Sequence, residues 1–274
     1  MKKTLLLIFL SSALLGLQSC SRDSNLGGDP GTPGFSQSDW LLPINLIFNG
    51  GPGKDGIPSI DNPQFSNSNT IDGIGFMGND DLVVAIKVGE SIRAYPHSIL
   101  DWHEIVNDSW DDLHLAITYC PLTGTAVAWN RTINGRTTTF GVSGLLHNSN
   151  LMPFDRDSDS VWSQMLLQSV NGSNMGDFIE TYPVVETTYE EMRTLYPDVE
   201  IMDIRTGFNR SYGVYPYGNY LVEDRQLRFP VTNEDLRLPF KERGLGISSE
   251  NAARFYRFSD FNQQSVNVAN DDFD

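Results

Sequence analysis

"DLHLAITYCPLTGTAVAWNRTINGRTTTFGVSG", residues 112–144, carries the pattern that decides the fold. Leu113, Leu115, Ile117 and Tyr119 alternate with His114, Ala116, Thr118 and Cys120, the period of a β-strand. Pro121-Leu122-Thr123-Gly124 then turns, "TAVAWNRTI" returns as a strand, Asn134-Gly135 is a tight hairpin signal, and "RTTTFGVSG" follows. The centre reads as a meander of antiparallel strands. Upstream, "DLVVAIKV" (81–88) and "SIRAYPH" (91–97) read as another hairpin, joined at Gly89-Glu90. Pro96 suits the first position of a helical turn or two in "PHSILDWHEIVND". "TYEEMRTLYP" (188–197) reads as a short amphipathic helix that Pro197 stops. "GGPGKDGIPSIDNPQF" (50–65) is too dense in Gly and Pro for a long helix or central strand, and reads as a structured surface loop. The expected class is mainly β (α+β): an antiparallel strand meander with a few short helices.

The amino-terminal end has a different character. Lys2 and Lys3 precede an apolar run from Thr4 to Leu17, short for a membrane span and shaped like an export signal. Leu17-Gln18-Ser19-Cys20 matches the apolar-variable-small-cysteine pattern of a bacterial lipobox. We therefore expect residues 1–19 to be a lipoprotein signal peptide and Cys20 to be acylated, with several acyl chains giving a stable membrane anchor. Ser21 rather than Asp after Cys20 favours the outer membrane of the cell envelope. Residues 20–38 are Gly, Pro, Ser and Asp with little that is apolar, a tether ahead of a single domain over 39–274, with order beginning near Trp40.

The full chain carries a formal charge of −16, and loss of Lys2 and Lys3 leaves 17 basic against 35 acidic residues, or −18. Such a surface repels nucleic acid, so the expected partners are the membrane, through its lipid, and a small ligand or metal. With Cys20 acylated, Cys120 has no second cysteine in the chain to pair with.

A weak echo links "LVVAIKVGESIRAYPHSILDWHEIVNDSWDD" to "RGLGISSENAARFYRFSDFNQQSVNVANDDFD". Arg93-Ala94-Tyr95 answers Arg254-Phe255-Tyr256, and Val106-Asn107-Asp108 answers Ala269-Asn270-Asp271. The reading is of two related β units, the second starting near residue 240 and cut short.

Five blocks, "GGPGKDGIPSIDNPQF", "RAYPHSILDWHEIVND", "TYCPLTGTA", "FGVSGLLHNSNLMPFDRDSDSVWSQ" and "NGSNMG", resemble in order and spacing the bacterial family of domain of unknown function 3179, over roughly residues 40–260. The resemblance implies a domain and a set of positions; the family brings no assigned activity. Many members carry a second cysteine three residues after the first, and this chain has Thr123 there. That departure removes a resolving thiol and disfavours disulfide exchange.

Cys120 reads either as a small buried hydrophobe or as a ligand or nucleophile at a strand end. His114 shares its strand face but lies six residues, about 20 Å, away. His97 and Asp101 stand i, i+4 on the expected helix, and His147 lies in "GLLHNSN". Cys120 with His103, and Met152 beside them, would form a set suited to a copper-like soft metal. In "FDRDSDSVWSQ", Asp155, Arg156, Ser160, Trp162 and Gln164 form a candidate binding set, with Asp155 and Arg156 as an ion pair. The segment resembles a calcium loop, but Ser160 and Leu166 stand where an EF-hand needs Gly and Glu. Lys54 lacks the spacing of a phosphate loop, and "GVSG" brings its second glycine too early for a nucleophile elbow. Three functions stay open: a ligand- or soft-metal-binding envelope lipoprotein with its site at Cys120 and His103; an enzyme with Cys120 as nucleophile and His103 as base; and a structural lipoprotein without chemistry.

Overall fold

The computed structural model describes residues 36–223, 225–249 and 252–261, so residues 1–35 and 262–274, including Cys20, the expected signal, most of the expected tether and the end of the expected second unit, lie outside the described residues. In its first half the chain forms β1 (Ile47–Asn49), β2 (Phe65–Ser66), α1 (Ser68–Ile74), β3 (Leu82–Val88), β4 (Ser91–Pro96), α2 (His97–His103), β5 (Ile105–Trp110), β6 (Leu113–Cys120), β7 (Thr125–Asn130), β8 (Thr132–Ile133) and β9 (Arg136–Thr137). There follow β10 (Phe140–His147), β11 (Asn150–Asp155), β12 (Val161–Ser163), β13 (Gln168–Asn171), β14 (Thr181–Tyr182), β15 (Val185–Thr188), α3 (Tyr189–Leu195), β16 (Glu200–Met202), β17 (Gly244–Ser248) and β18 (Ala253–Arg257). The fold is mainly β. No helix among the described residues is long and apolar enough to cross a membrane.

Three sheets stack in layers. The middle sheet runs β14-β7-β6-β5; one outer sheet runs β15-β3-β4-β16-β2, the other β1-β10-β11-β12-β13. All pairings are antiparallel except β16 with β4. The alternation in β6 sets this arrangement, because both of its faces are buried. Leu115, Ile117 and Tyr119 join Val84, Ile86 and Tyr95 in one core. Ala116 and Cys120 join Phe140, Leu151 and Trp162 in a second. Phe140 meets Trp129 and Trp162 edge-on, with centroids 5.2 and 6.1 Å away, the favoured aromatic geometry. Helices α1 and α3 cover the far face of the β3–β4 sheet, and Trp40 closes the far side of the β10–β13 sheet.

Pro96 ends β4 as the N-cap of α2, one residue before the position its sequence context favoured; its φ of −64° and ψ of 136° suit the entry to a helix. The Gly/Pro-rich loop over 50–65 is anchored at Ile60, which is buried and bridges Val106 in parallel. The hairpin β17–β18 repeats the register of β3–β4. Leu245 opposes Tyr256 as Val84 opposes Tyr95, and Ile247 opposes Arg254 as Ile86 opposes Arg93. Val84 and Ile86 are fully buried, whereas Leu245 is 53% and Ile247 42% exposed.

Asn107 ties the middle sheet to the β10 sheet and to the 50–65 loop. Its amide donates to Asp61 at 2.7 Å and to the Phe140 carbonyl at 2.9 Å, and accepts from the Phe140 N–H at 2.8 Å. Replacing it strands a buried backbone N–H. Asn107→Ala is expected to destabilise the domain by about 2–4 kcal/mol. A urea unfolding midpoint unchanged from the parent would contradict this role.

Candidate functional site

Cys120 ends β6 and is 1% exposed. The turn that follows is closed by the Thr123 N–H donating to the Cys120 carbonyl at 3.2 Å. The thiol donates weakly to the Ser149 carbonyl at 3.6 Å, and Thr123 stands near enough to it to oppose part of the rise in its pKa. Ser149 sits there because Asn148 and Ser149 take φ of 51° and 61° in the two-residue turn between β10 and β11. Burial pushes the Cys120 thiol up to about 11, and the neighbouring Glu104 carboxylate adds to the shift. It is a neutral thiol at physiological pH.

Glu104 is the C-cap of α2, with φ 59° and ψ −27°. That left-handed conformation usually falls to glycine, and a side chain there costs about 1 kcal/mol. Its carboxyl is buried, and Tyr217 donates to Oε1 at 2.6 Å. Burial raises it to about 7 against the opposing pull of the Tyr217 bond. Asp101, one helical turn earlier, is also raised to about 7, by burial first and by Glu104 second. Tyr215 donates to the Pro121 carbonyl at 3.1 Å and Tyr220 to the Leu122 carbonyl at 3.2 Å. The Cys120 turn is thus roofed by tyrosines. Four of the chain's ten tyrosines fall within "YGVYPYGNY" (212–220), the sequence signal for this roof that strand and motif reading passed over.

His103 does not meet Cys120. Its Nδ1 bonds the Pro58 carbonyl and its Nε2 the Tyr212 hydroxyl, both at 2.7 Å, and its ring packs on Phe208. Burial lowers its pKa, so it is a neutral imidazole with both nitrogens engaged. Among the described residues no group of three or more His, Cys, Asp and Glu is placed to hold a metal ion. Met152 is buried among Trp40, Phe154, Val161 and Val170. His97 packs on Tyr119, with centroids 4.5 Å apart, and its Nε2 stands 3.5 Å from Glu186.

The 155–164 set comes together, but as scaffold. Asp155 accepts from the Ser158 N–H and hydroxyl at 2.7 Å and from the Trp162 indole at 2.9 Å. It is not paired with Arg156, which turns to Asp55 at 2.7 Å because the Asp155 oxygens are already taken. Ser160 accepts from the Asn174 N–H at 3.0 Å. Gln164 donates to Thr118 and to the Thr125 carbonyl, and accepts from Asn150 at 2.7 Å.

Next to this scaffold, the Cys120 turn opens onto a cleft of about 300 Å³ lined by Thr123, Thr125, His147, Asn150, Ser163 and Met165, among others. Thr123, which closes the Cys120 turn, lines this cleft, and its hydroxyl accepts from Asn150 at 3.0 Å. Burial lowers the pKa of His147, and among the described residues no group bonds its ring nitrogens. A larger cleft of about 600 Å³ lies between β15 and α3, lined by Lys87, Tyr182, Glu186, Met192 and Tyr196, and shares no residue with the Cys120 turn.

With this geometry in view, the match to known families is informative: the family described as protein of unknown function DUF3179 matches residues 54–274. The chain belongs to the DUF3179 family. No curated protein and no solved structure matches the chain.

Thr123 follows Cys120 at the last position of a tight turn, where α-carbons lie under about 7 Å apart, within the reach of a disulfide. Thr123→Cys is expected to form a 120–123 disulfide under oxidising conditions, lost on reduction. Two free thiols in the folded, air-oxidised variant would show that the turn holds these side chains apart.

Proposed function

We propose that this protein is a lipid-anchored binding protein of the bacterial cell envelope, held at the outer membrane through Cys20, whose ligand occupies the cleft beside the Cys120 turn. The observation that carries the reading is His147: a neutral imidazole with no hydrogen-bond partner among the described residues, in the wall of a cleft otherwise lined by hydroxyls, amides and the apolar Met165 and Leu166. A concave site with an apolar wall and a few unspent polar groups is the usual form of a small-molecule site. The lining carries no carboxylate, ammonium or guanidinium, which favours an uncharged ligand.

Catalysis by Cys120 is the weaker reading. A nucleophile needs a stabilised thiolate and a base within reach. This thiol is pushed up to about 11, and His103 is committed to Pro58 and Tyr212. A copper-like soft metal is a second reading, moved from His103 to the cleft. Met165, a thioether 62% exposed, lines it with His147, and both are soft-metal ligands.

Native mass spectrometry of the protein purified from envelope membranes, beside elemental analysis, tests both. A bound small molecule or stoichiometric metal is expected in the parent and lost in His147→Ala, while His103→Gln retains it. If His147→Ala loses nothing that the parent carries, or neither form takes up Cu(I) or a neutral ligand added in excess, the cleft is not a binding site. The anchor is tested separately. Metabolic labelling with palmitate is expected to mark the full chain and to disappear in Cys20→Ser. Equal labelling of the two would overturn lipidation at Cys20.

A further inference from the structure

Each of the three layered sheets ends in two edge strands, and the chain covers the longer of these edges itself except at one place. Ile60 covers β5: its N–H donates to the Ile105 carbonyl at 2.9 Å, and its carbonyl accepts from the Asn107 N–H at 2.8 Å. Residues 177–179 cover β13: the Ser169 N–H donates to the Asp177 carbonyl and the Ile179 N–H to the Leu167 carbonyl, both at 2.9 Å. The edge strands β1, β2 and β14 are only two or three residues long. β15 has four residues and pairs with β3 on one side; no main chain among the described residues pairs with it on the other. The register says which of its groups are free. The Tyr189 N–H donates to the Asp81 carbonyl, so in the antiparallel alternation Thr187 and Val185 also bond towards β3, and the N–H and carbonyl of Glu186 face outwards. Neither bonds a group among the described residues. An open edge of this kind is a template for a further strand.

The same strand forms a wall of the 600 Å³ cleft against α3. The floor of the cleft is apolar and buried, made of Ala85, Ile92 and Met192. Its rim is apolar and open: Val185 is 59% and Leu195 62% exposed. Opposite charges stand at its two ends. The Lys87 ammonium lies 5.6 Å from the Tyr196 ring centroid, and Glu191 accepts from the Thr187 hydroxyl; neither has an ion pair among the described residues. Lys87 is four residues along β3 from Val83, the partner of Thr187, so about 13 Å of sheet separates the basic end from the acidic one. The Glu186 carboxylate points to the opposite face of the sheet, where Arg243 holds it and His97 stands 3.5 Å away, so it does not repel an incoming strand.

From this arrangement we propose that β15 and its cleft dock an extended peptide segment of another protein. The segment adds to the sheet as a sixth strand beside β15 and bonds the Glu186 main chain. It places an apolar side chain over the Ala85, Ile92 and Met192 floor, and carries a basic residue towards Glu191 and an acidic one towards Lys87. In strand addition the main-chain bonds supply affinity, and pockets for alternate side chains supply specificity. A small compact ligand would fill the cleft and leave the Glu186 groups in water. A helix would bring them no free main-chain partners, because its own N–H and carbonyl groups are bonded internally. An extended chain is the conformation that uses both the edge and the cleft. The site shares no lining residue with the cleft beside the Cys120 turn, so it stands whatever that cleft binds.

The test uses the full chain carrying Cys20→Ser and a displayed library of random ten-residue peptides as the probe. Selection is expected to enrich peptides with an apolar residue between a basic and an acidic one. The best of them, made synthetically, is expected to bind roughly tenfold or more weakly to Leu195→Asp, and equally well to Phe178→Asp, a similar change at an exposed apolar residue of another sheet. Both positions are exposed, so both variants are expected to fold. N-methylation of alternate peptide amides is expected to weaken binding roughly tenfold, and of the intervening amides to do little, the signature of a paired strand. Hydrogen exchange at the Glu186 amide, followed by NMR, identifies what covers the edge. It is expected to be fast in the free monomer and slowed at least roughly tenfold by the peptide. Slow exchange in the free monomer would mean that the chain covers its own edge. Protection that appears only as concentration rises, with a doubling of mass, would give the edge to a second copy. Either result, a library that enriches nothing over Leu195→Asp, or binding indifferent to N-methylation would overturn the proposal.

Discussion

Strand β6 has no wet face, and the rest of the molecule is arranged around that constraint. An antiparallel sheet commonly buries one face and solvates the other. Here Leu115, Ile117 and Tyr119 point into one core, and Ala116, Thr118 and Cys120 into another. Two further sheets must then cover the middle one, and every polar atom near the end of β6 must find a partner inside the protein, because an unpaired buried polar group costs about 1–3 kcal/mol. Gln164 exists for that purpose. It reaches from beyond β12 to Thr118 and Thr125 and passes its carbonyl to Asn150, whose amide goes on to Thr123.

That chain of amides and hydroxyls explains why the polar segment 155–164 resembles a site and acts as a frame. Asp155, Ser158, Ser160, Trp162 and Asn174 satisfy one another almost completely. A ligand would have to displace bonds already made. His147 is the opposite case, a polar group in a cleft wall whose ring nitrogens bond no group among the described residues. The two kinds of polar residue are similar in sequence and differ in whether the fold has already used them.

The strands were legible because their signals are local. The alternation across β6, the Asn134-Gly135 turn and the Thr188-to-Pro197 helix follow from period, φ preference and propensity, and the structure places a strand, a hairpin and a helix there. The site was legible in part. Cys120 stands at the end of a buried strand, as its place before a turn implied. Its neighbours come from α2, the β10–β11 turn and residues 212–220, separated in sequence by tens of residues, and no period reports such convergence. His103 drew attention as an imidazole in a recognisable block. The residue beside it, Glu104, is the one the helix end turns towards the thiol, because the chain leaves α2 in a left-handed conformation that reverses the direction of the next side chain.

Glu104 runs against the local preferences that shape the rest of the domain. Glycine would take its φ with less strain, glutamine would keep the Tyr217 bond without a titratable group, and an apolar residue would suit the cores on either side. Instead an acid occupies a dry position against a thiol, with a second acid one helical turn away and no cation bonded to either. Each of those choices weakens the folded state at neutral pH, and together they sit under the tyrosine roof of the Cys120 turn. Local rules broken together at a single point, in a domain that obeys them along its strands, are what a site shaped by function looks like. The Glu104–Cys120 corner, more than the histidines or the polar frame, is where the DUF3179 domain spends stability on something other than folding.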